Sequence, residues 1–260
     1  MGKVRTDNIH YYNIANAIRE CGHLEETIKP QKMPEKIEEV YVKGRDNRRK
    51  IWWDAICQDE ARTDFSYAFT SMDLSLVGGF NPPFALKPLK APAMFLSATG
   101  LDNIALSQID FSLCTNVSNL FQQSDVKSIE KVDLSNVSGT ISNTFHHADL
   151  LETIGELVLK SDGSQAFSDN FIAYTPSLKN IKITGVIGNN FKLGYASMLS
   201  KESIKSIVSA LSDTAEGKVL TISETAVNNA FETSEGLADG ATSEEWLNLV
   251  ASKPSWEINL

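Results

Sequence analysis

A three-point apolar template recurs along the middle of the chain and constrains the fold more than any other feature. It falls at Leu106/Ile109/Phe111, Ile129/Val132/Leu134, Ile154/Leu157/Leu159 and Leu178/Ile181/Ile183, with successive offsets of 23, 25 and 24 residues. An aromatic accompanies each copy: Phe95, Phe121, Phe145 and Phe171 precede the four segments and Phe191 follows the last, with Ala98, Ser124 and Ala148 three positions after the first three. A period in the low twenties lies in the range of leucine-rich-repeat solenoids. One such unit cannot bury its own apolar edge, so successive units must stack and fuse those edges into a continuous core. The expected fold is therefore mixed α/β, a leucine-rich-repeat-like solenoid over residues 95–191.

The flanks have a different rhythm. Tyr11, Ile14, Ala15 and Ile18 follow the i, i+3, i+4, i+7 spacing of one apolar helical face, with Thr6 or Asp7 to cap it and Gly22 to end it. Pro30 and Pro34 bracket Met33, exclude a long helix and stiffen the chain towards Ile37. Residues 1–40 thus read as a helical docking arm with too little apolar mass to fold alone. Residues 41–94, with Trp52-Trp53 and Tyr67-Ala68-Phe69, read as an N-terminal cap followed by a degenerate first repeat around Phe84 and Leu86, after a turn at Gly78-Gly79 and Pro82-Pro83. Residues 192–260 read as an α/β C-terminal cap. In it Ser200 starts a helix through Ile204, Ile207, Val208 and Leu211, Val219–Ser223 is a strand, and Thr225–Phe231 is a short helix. Ser243 caps a helix carrying Trp246 and Val250 inward, and Trp256–Leu260 is a last strand.

The segment Ile14-Ala15-Asn16-Ala17-Ile18-Arg19, followed by Lys29-Pro30-Gln31-Lys32-Met33-Pro34-Glu35-Lys36-Ile37, resembles a head segment of tail and other virion proteins of bacteriophages. Cys21 and His23 to Glu25 stand where Lys, Gly and Thr are commoner in that pattern. The repeats are similar to the BspA-like leucine-rich repeats of bacterial surface proteins and phage structural proteins, with Phe-x-x-Ala/Ser in place of the fuller Ala-Phe-x-x-Cys form. The resemblance implies that Tyr11, Ile14, Ala15, Ile18, Met33 and Ile37 dock into a virion and that a variable module is carried outward. It also implies other virion proteins as partners, a homo-oligomer, and a location in the virion after assembly in the host cytoplasm.

Composition narrows the function classes. With 24 Lys+Arg against 33 Asp+Glu the formal charge is −9, so the chain repels phosphate backbones and no nucleic-acid partner is expected. Lys3 and Arg5 are followed by Asp7, Asn8, His10, Asn13 and Asn16 in place of an apolar stretch, so neither a secretory signal nor membrane insertion is expected. Cys21, Cys57 and Cys114 are odd in number and far apart, which reads as reduced, mostly buried thiols. No nucleophile elbow, phosphate loop or metalloprotease motif occurs. His146-His147 is the one histidine pair, and in an extended segment neighbouring side chains point opposite ways, so neither a metal nor any other cofactor is expected.

The same alignment names a candidate contact row. The middle residue of each Φ-x-Φ points away from the core, which places Asp110, Asp133, Val158 and Lys182 side by side, behind Gln108, Lys131, Glu156 and Asn180. Asp110 and Asp133 would stack about 4.8 Å apart, the one arrangement that suggests facing acids. Like charges that close are costly, and two solvated aspartates are the plainer reading. The row holds no aromatic or Arg, the residues that dominate tight interfaces. The sequence therefore points to a non-enzymatic virion structural protein, with a host surface glycan or protein as a further partner. A BspA-like bacterial adhesin is the alternative, and a carbohydrate-active enzyme the third reading.

Overall fold

The computed structural model describes residue 51 and residues 53–101, 108–231 and 243–260. The chain divides into two compact units, Met1–Ala55 and Ile56–Leu260. Of the first, residues 51 and 53–55 are helical; the docking residues Tyr11, Ile14, Ala15, Ile18, Met33 and Ile37 lie outside the described residues. The second unit is a solenoid of about four turns built mostly from parallel strands.

Two structural columns make each turn. The first is a parallel sheet of β1 (Ser128–Asp133), β3 (Thr153–Val158) and β5 (Asn180–Thr184), in the order β1-β3-β5. Short strands β2 (Thr140–Ile141) and β4 (Ala166–Phe167) pair beside it. Ile129 sits against Ile154 and Val132 against Leu157, all four fully buried. Leu134, Leu159, Ile181 and Ile183 are buried as the repeat requires.

The register of the last strand differs from the sequence alignment. Ile154 pairs with Ile181 and Leu157 with Ile183, not with Leu178 and Ile181, and the ladder shifts between the two pairs. The difference is already three residues at Ile154, before any irregularity, because the stretch from β3 to β5 is longer than the template spacing; within the pair, three residues of β3 span what two residues of β5 span, a bulge that takes one residue back. Gly155 lies in it, and a Cβ there would stand 2.5 Å from the Glu130 carbonyl oxygen. Leu178 is also buried and also three positions before Ile181, so it imitates the first apolar point of the template.

The second column is an arc around each core phenylalanine. N–H groups of Tyr67, Phe69 and Ser71 donate to the carbonyls of Pro92, Met94 and Leu96; those of Ala93, Phe95 and Ser97 donate to Ser118, Leu120 and Gln122; those of Asn119, Phe121 and Gln123 donate to Ser142, Thr144 and His146. This alternation requires left-handed backbone two residues before and two after each of Phe69, Phe95, Phe121 and Phe145, where φ lies between 51° and 58°. That conformation costs about 1 kcal/mol or more per non-glycine residue, and the turn-to-turn hydrogen bonds offset it. Inside the arcs Phe69, Phe95, Phe121 and Phe145 stack with centroids 5.3, 5.2 and 5.8 Å apart and nearly parallel rings, and Phe171 closes on Phe145 edge-on at 5.6 Å.

The C-terminal part follows the sequence reading closely. Ser200 caps α1 (Lys201–Ser209) by accepting from the Ser203 N–H, and Ile204, Ile207 and Val208 face inward. Parallel strands β6 (Phe191–Leu193), β7 (Lys218–Ile222) and β8 (Trp256–Asn259) form the last sheet. Helices α2 (Glu224–Phe231) and α3 (Glu244–Ala251) lie between β7 and β8 in the chain, meeting where Phe231 packs on Trp246 at 5.3 Å. Val250 is half-buried, less inward than its spacing predicts. Lys253 ties this end together: its buried ammonium donates to the Leu211 carbonyl at 2.6 Å and to Asp213 at 2.7 Å.

Candidate interaction surface

The row expected across the sheet is only partly assembled. Asp133 pairs with Val158, and Val158 pairs with Thr184, so the register of β5 removes Lys182 from the row and puts Thr184 in its place. Asp110 sits next to the isolated bridge between Leu86 and Ile109, outside the three-stranded sheet.

Both aspartates are engaged by their own turns. Asp110 accepts the Ser112 N–H at 3.0 Å; Asp133 accepts the Ser135 N–H at 3.0 Å and its hydroxyl at 2.6 Å. The hydroxyl and N–H of Ser112 hold the Asp110 carboxyl below the usual carboxylate range. The same device recurs at Asp64–Ser66, Asp73–Ser75 and Asp162–Ser164. Aspartates that close turns at repeat positions are building the corners of the solenoid and are not poised as a facing acid pair. The signal was legible as a recurring Asp-x-Ser.

The rest of the sheet face is a lattice of complementary charges. Lys131 meets Glu156 at 3.0 Å, Thr184 donates to Glu156 at 2.7 Å, and Lys179 meets Glu152 at 3.0 Å. The Thr184 hydroxyl first, and then Lys131, push the Glu156 carboxyl down; Glu156 in turn pushes Lys131 up. Pairs this exposed contribute little to stability and leave their charges mutually satisfied.

Aromatic anchors lie instead on the outer side of the phenylalanine arcs. His147 stacks on Tyr174 with centroids 4.4 Å apart and planes 6° from parallel, and Tyr174 stacks on Tyr195 at 4.2 Å and 20°. Tyr174 and Tyr195 remain 40% and 46% exposed, which marks them as surface aromatics and not core. His146 joins the end of the stack, 4.6 Å from His147. Burial first, then His147, lowers the His146 pKa, and a hydrogen bond to Tyr195 raises that of Tyr174. Exposed Leu150 and Met198 lie three residues after His147 and Tyr195.

The two histidines lie together because His147 takes φ 55°, whereas the sequence reading assumed an extended segment that would have separated them. Among the described residues, no group of three or more His, Cys, Asp or Glu side chains is arranged to hold a metal ion. Cys57 and Cys114 are buried thiols, and burial pushes the Cys114 thiol up. Sequence reasoning sought aromatics on the sheet face and so missed this stack. The available signal was position relative to the core rings: His147, Tyr174 and Tyr195 follow Phe145, Phe171 and Phe191 by two, three and four residues.

The stack constrains what it can bind. Both faces of Tyr174 are covered by neighbouring rings, so it offers an edge and a hydroxyl to a partner and not a flat platform. Pre-stacked rings have little side-chain entropy left to lose on association, which favours their use as anchors. Comparison with known proteins gives no match to a family model, a curated protein or a solved structure.

Proposed function

We propose that this chain is a non-enzymatic structural protein of a bacteriophage virion, a tail, baseplate or fibre component whose solenoid is of the BspA-like leucine-rich kind. Residues 1–40 dock onto other virion proteins, and the solenoid is carried outward as a homo-oligomeric array that contacts the host surface. The observation that most supports this reading is how polar side chains are used. The repeated aspartates close turns, the sheet-face charges pair with one another, and the aromatic stack at His147, Tyr174 and Tyr195 faces outward. Such a surface fits adhesion better than bond cleavage. The Ile14–Arg19 and Lys29–Ile37 resemblance supports the docking role of the arm.

The test is deletion of residues 1–40 in an infected culture, followed by mass spectrometry of purified particles. Loss of the protein from particles with a folded solenoid is expected; normal incorporation overturns the docking role. The same stack also favours a second reading, a BspA-like bacterial surface adhesin for host protein or glycan. Recovery of the full chain in the bacterial envelope and not in particles would select it.

A further inference from the structure

A polar groove of about 380 Å³ opens on the solenoid flank between the turn at Lys90, the turn at Asn116–Ser118 and the turn at Thr140–Ile141. That volume lies in the range of small-molecule sites. Its floor is Val117, Val137 and Ile141, none more than 2% exposed, and its walls are polar.

The polar groups there divide into two sets. The Thr115 hydroxyl donates to the Leu89 carbonyl and the Ser138 hydroxyl to the Thr115 carbonyl, so these two hold neighbouring turns together. The Asn116 side-chain oxygen accepts the Ser118 N–H, which leaves its amide hydrogens for a ligand. Among the described residues the Lys90 ammonium forms no ion pair, unlike Lys131 and Lys179 on the sheet face. Asp64 interacts with Lys90 only at longer range, and its carboxylate is held by the Ser66 N–H and hydroxyl.

We propose that this groove binds a carboxylated sugar unit, with Lys90 on the carboxylate and Asn116, Ser118 and Thr140 on the ring hydroxyls. Hydroxyl and amide side chains both donate and accept, which matches a polyhydroxylated ligand. A phosphate would call for several converging donors or a bidentate Arg, and the lining offers one Lys. The net charge of −9 opposes a ligand in proportion to its negative charge, so a single carboxylate meets Lys90 at a smaller penalty than a multiply charged phosphate or sulfate ligand. The inference refines the glycan contact within the proposed function and is tested on purified protein, so its failure leaves the assembly role standing.

The experiment titrates the purified full-length chain with uronate and sialate oligosaccharides and with their methyl esters, which remove the charge and keep the hydroxyls. Saturable binding of an acidic sugar is expected, weakened about tenfold by esterification, as loss of one hydrogen bond to a charged group implies. Lys90→Gln should weaken the acid by a similar factor and leave the ester unchanged, whereas Thr140→Val and Ser118→Ala should weaken both. Lys90 and Thr140 are exposed, so thermal melting of those variants should match the parent. Absence of saturable binding across the panel, equal affinity for acid and ester, or an unchanged Lys90→Gln variant would each overturn the assignment.

Discussion

The backbone N–H of Ile181 donates to the hydroxyl oxygen of Ser203 at 2.9 Å, so a helix side chain completes the outer edge of the main sheet. Among the described residues no strand pairs beyond β5, and its outward N–H groups would otherwise lack partners. α1 lies along that edge, Ser206 repeats the contact at Ile183, and the Ser203 hydroxyl itself donates to the Lys179 carbonyl. An open edge is a template for wrong pairing; here a parallel stack ends without exposing one.

Ser203→Ala should therefore destabilise the protein by about 1–3 kcal/mol, the cost of a buried donor left unsatisfied. Chemical denaturation would measure it. A loss near zero would mean that water reaches the Ile181 N–H, although Ser203 is only 3% exposed.

Phe121 sits in the middle of the ring ladder, with a parallel ring on each side. Phe121→Ala should cost about 3–5 kcal/mol. Phe121→Leu should cost less, because it fills most of the volume and loses chiefly the ring stacking. Urea midpoints of the two variants test that order.

Gly155→Ala should cost about 1–3 kcal/mol through overpacking, since its Cβ would press on the Glu130 carbonyl of the neighbouring strand β1. If the variant is as stable as the parent, the close approach of β1 and β3 is looser than the geometry indicates.

Glu156 gives a pH dependence of known sign. Thr184 and Lys131 stabilise its charged form and lower its folded pKa, so the unfolded chain binds the proton more readily. The stabilisation is complete above the ordinary glutamate range and is lost as pH falls through the lowered value. Glu156→Gln should flatten the acid limb of stability against pH by a small amount, because the pair is exposed. An unaltered acid limb would count against the pairing.

Tyr174→Ala with Tyr195→Ala should weaken adhesion of multimerised protein to host cells while lowering stability only modestly, by about 0.5–1.5 kcal/mol for each stacking pair lost. Cell-binding assays paired with melting curves would show it. Retained adhesion would move the contact surface elsewhere.

The sequence by itself determined the repeat, the inward residues and the terminal elements. Val132, Leu157 and Ile183 are buried where the template put them, and Ser200 and Ser243 cap their helices. These are local facts: apolar spacing and capping chemistry act over a few residues, so a linear pattern carries them. What only the tertiary structure decided was which residues of adjacent turns face each other. Thr184 takes the place the alignment gave Lys182, because buried Leu178, three positions before Ile181, imitates the first point of the template and hides the longer stretch between β3 and β5. Left-handed residues such as His147 turn side chains that look separate in sequence into one stack with Tyr174, because hydrogen bonds to the neighbouring turn, not local preference, hold that backbone.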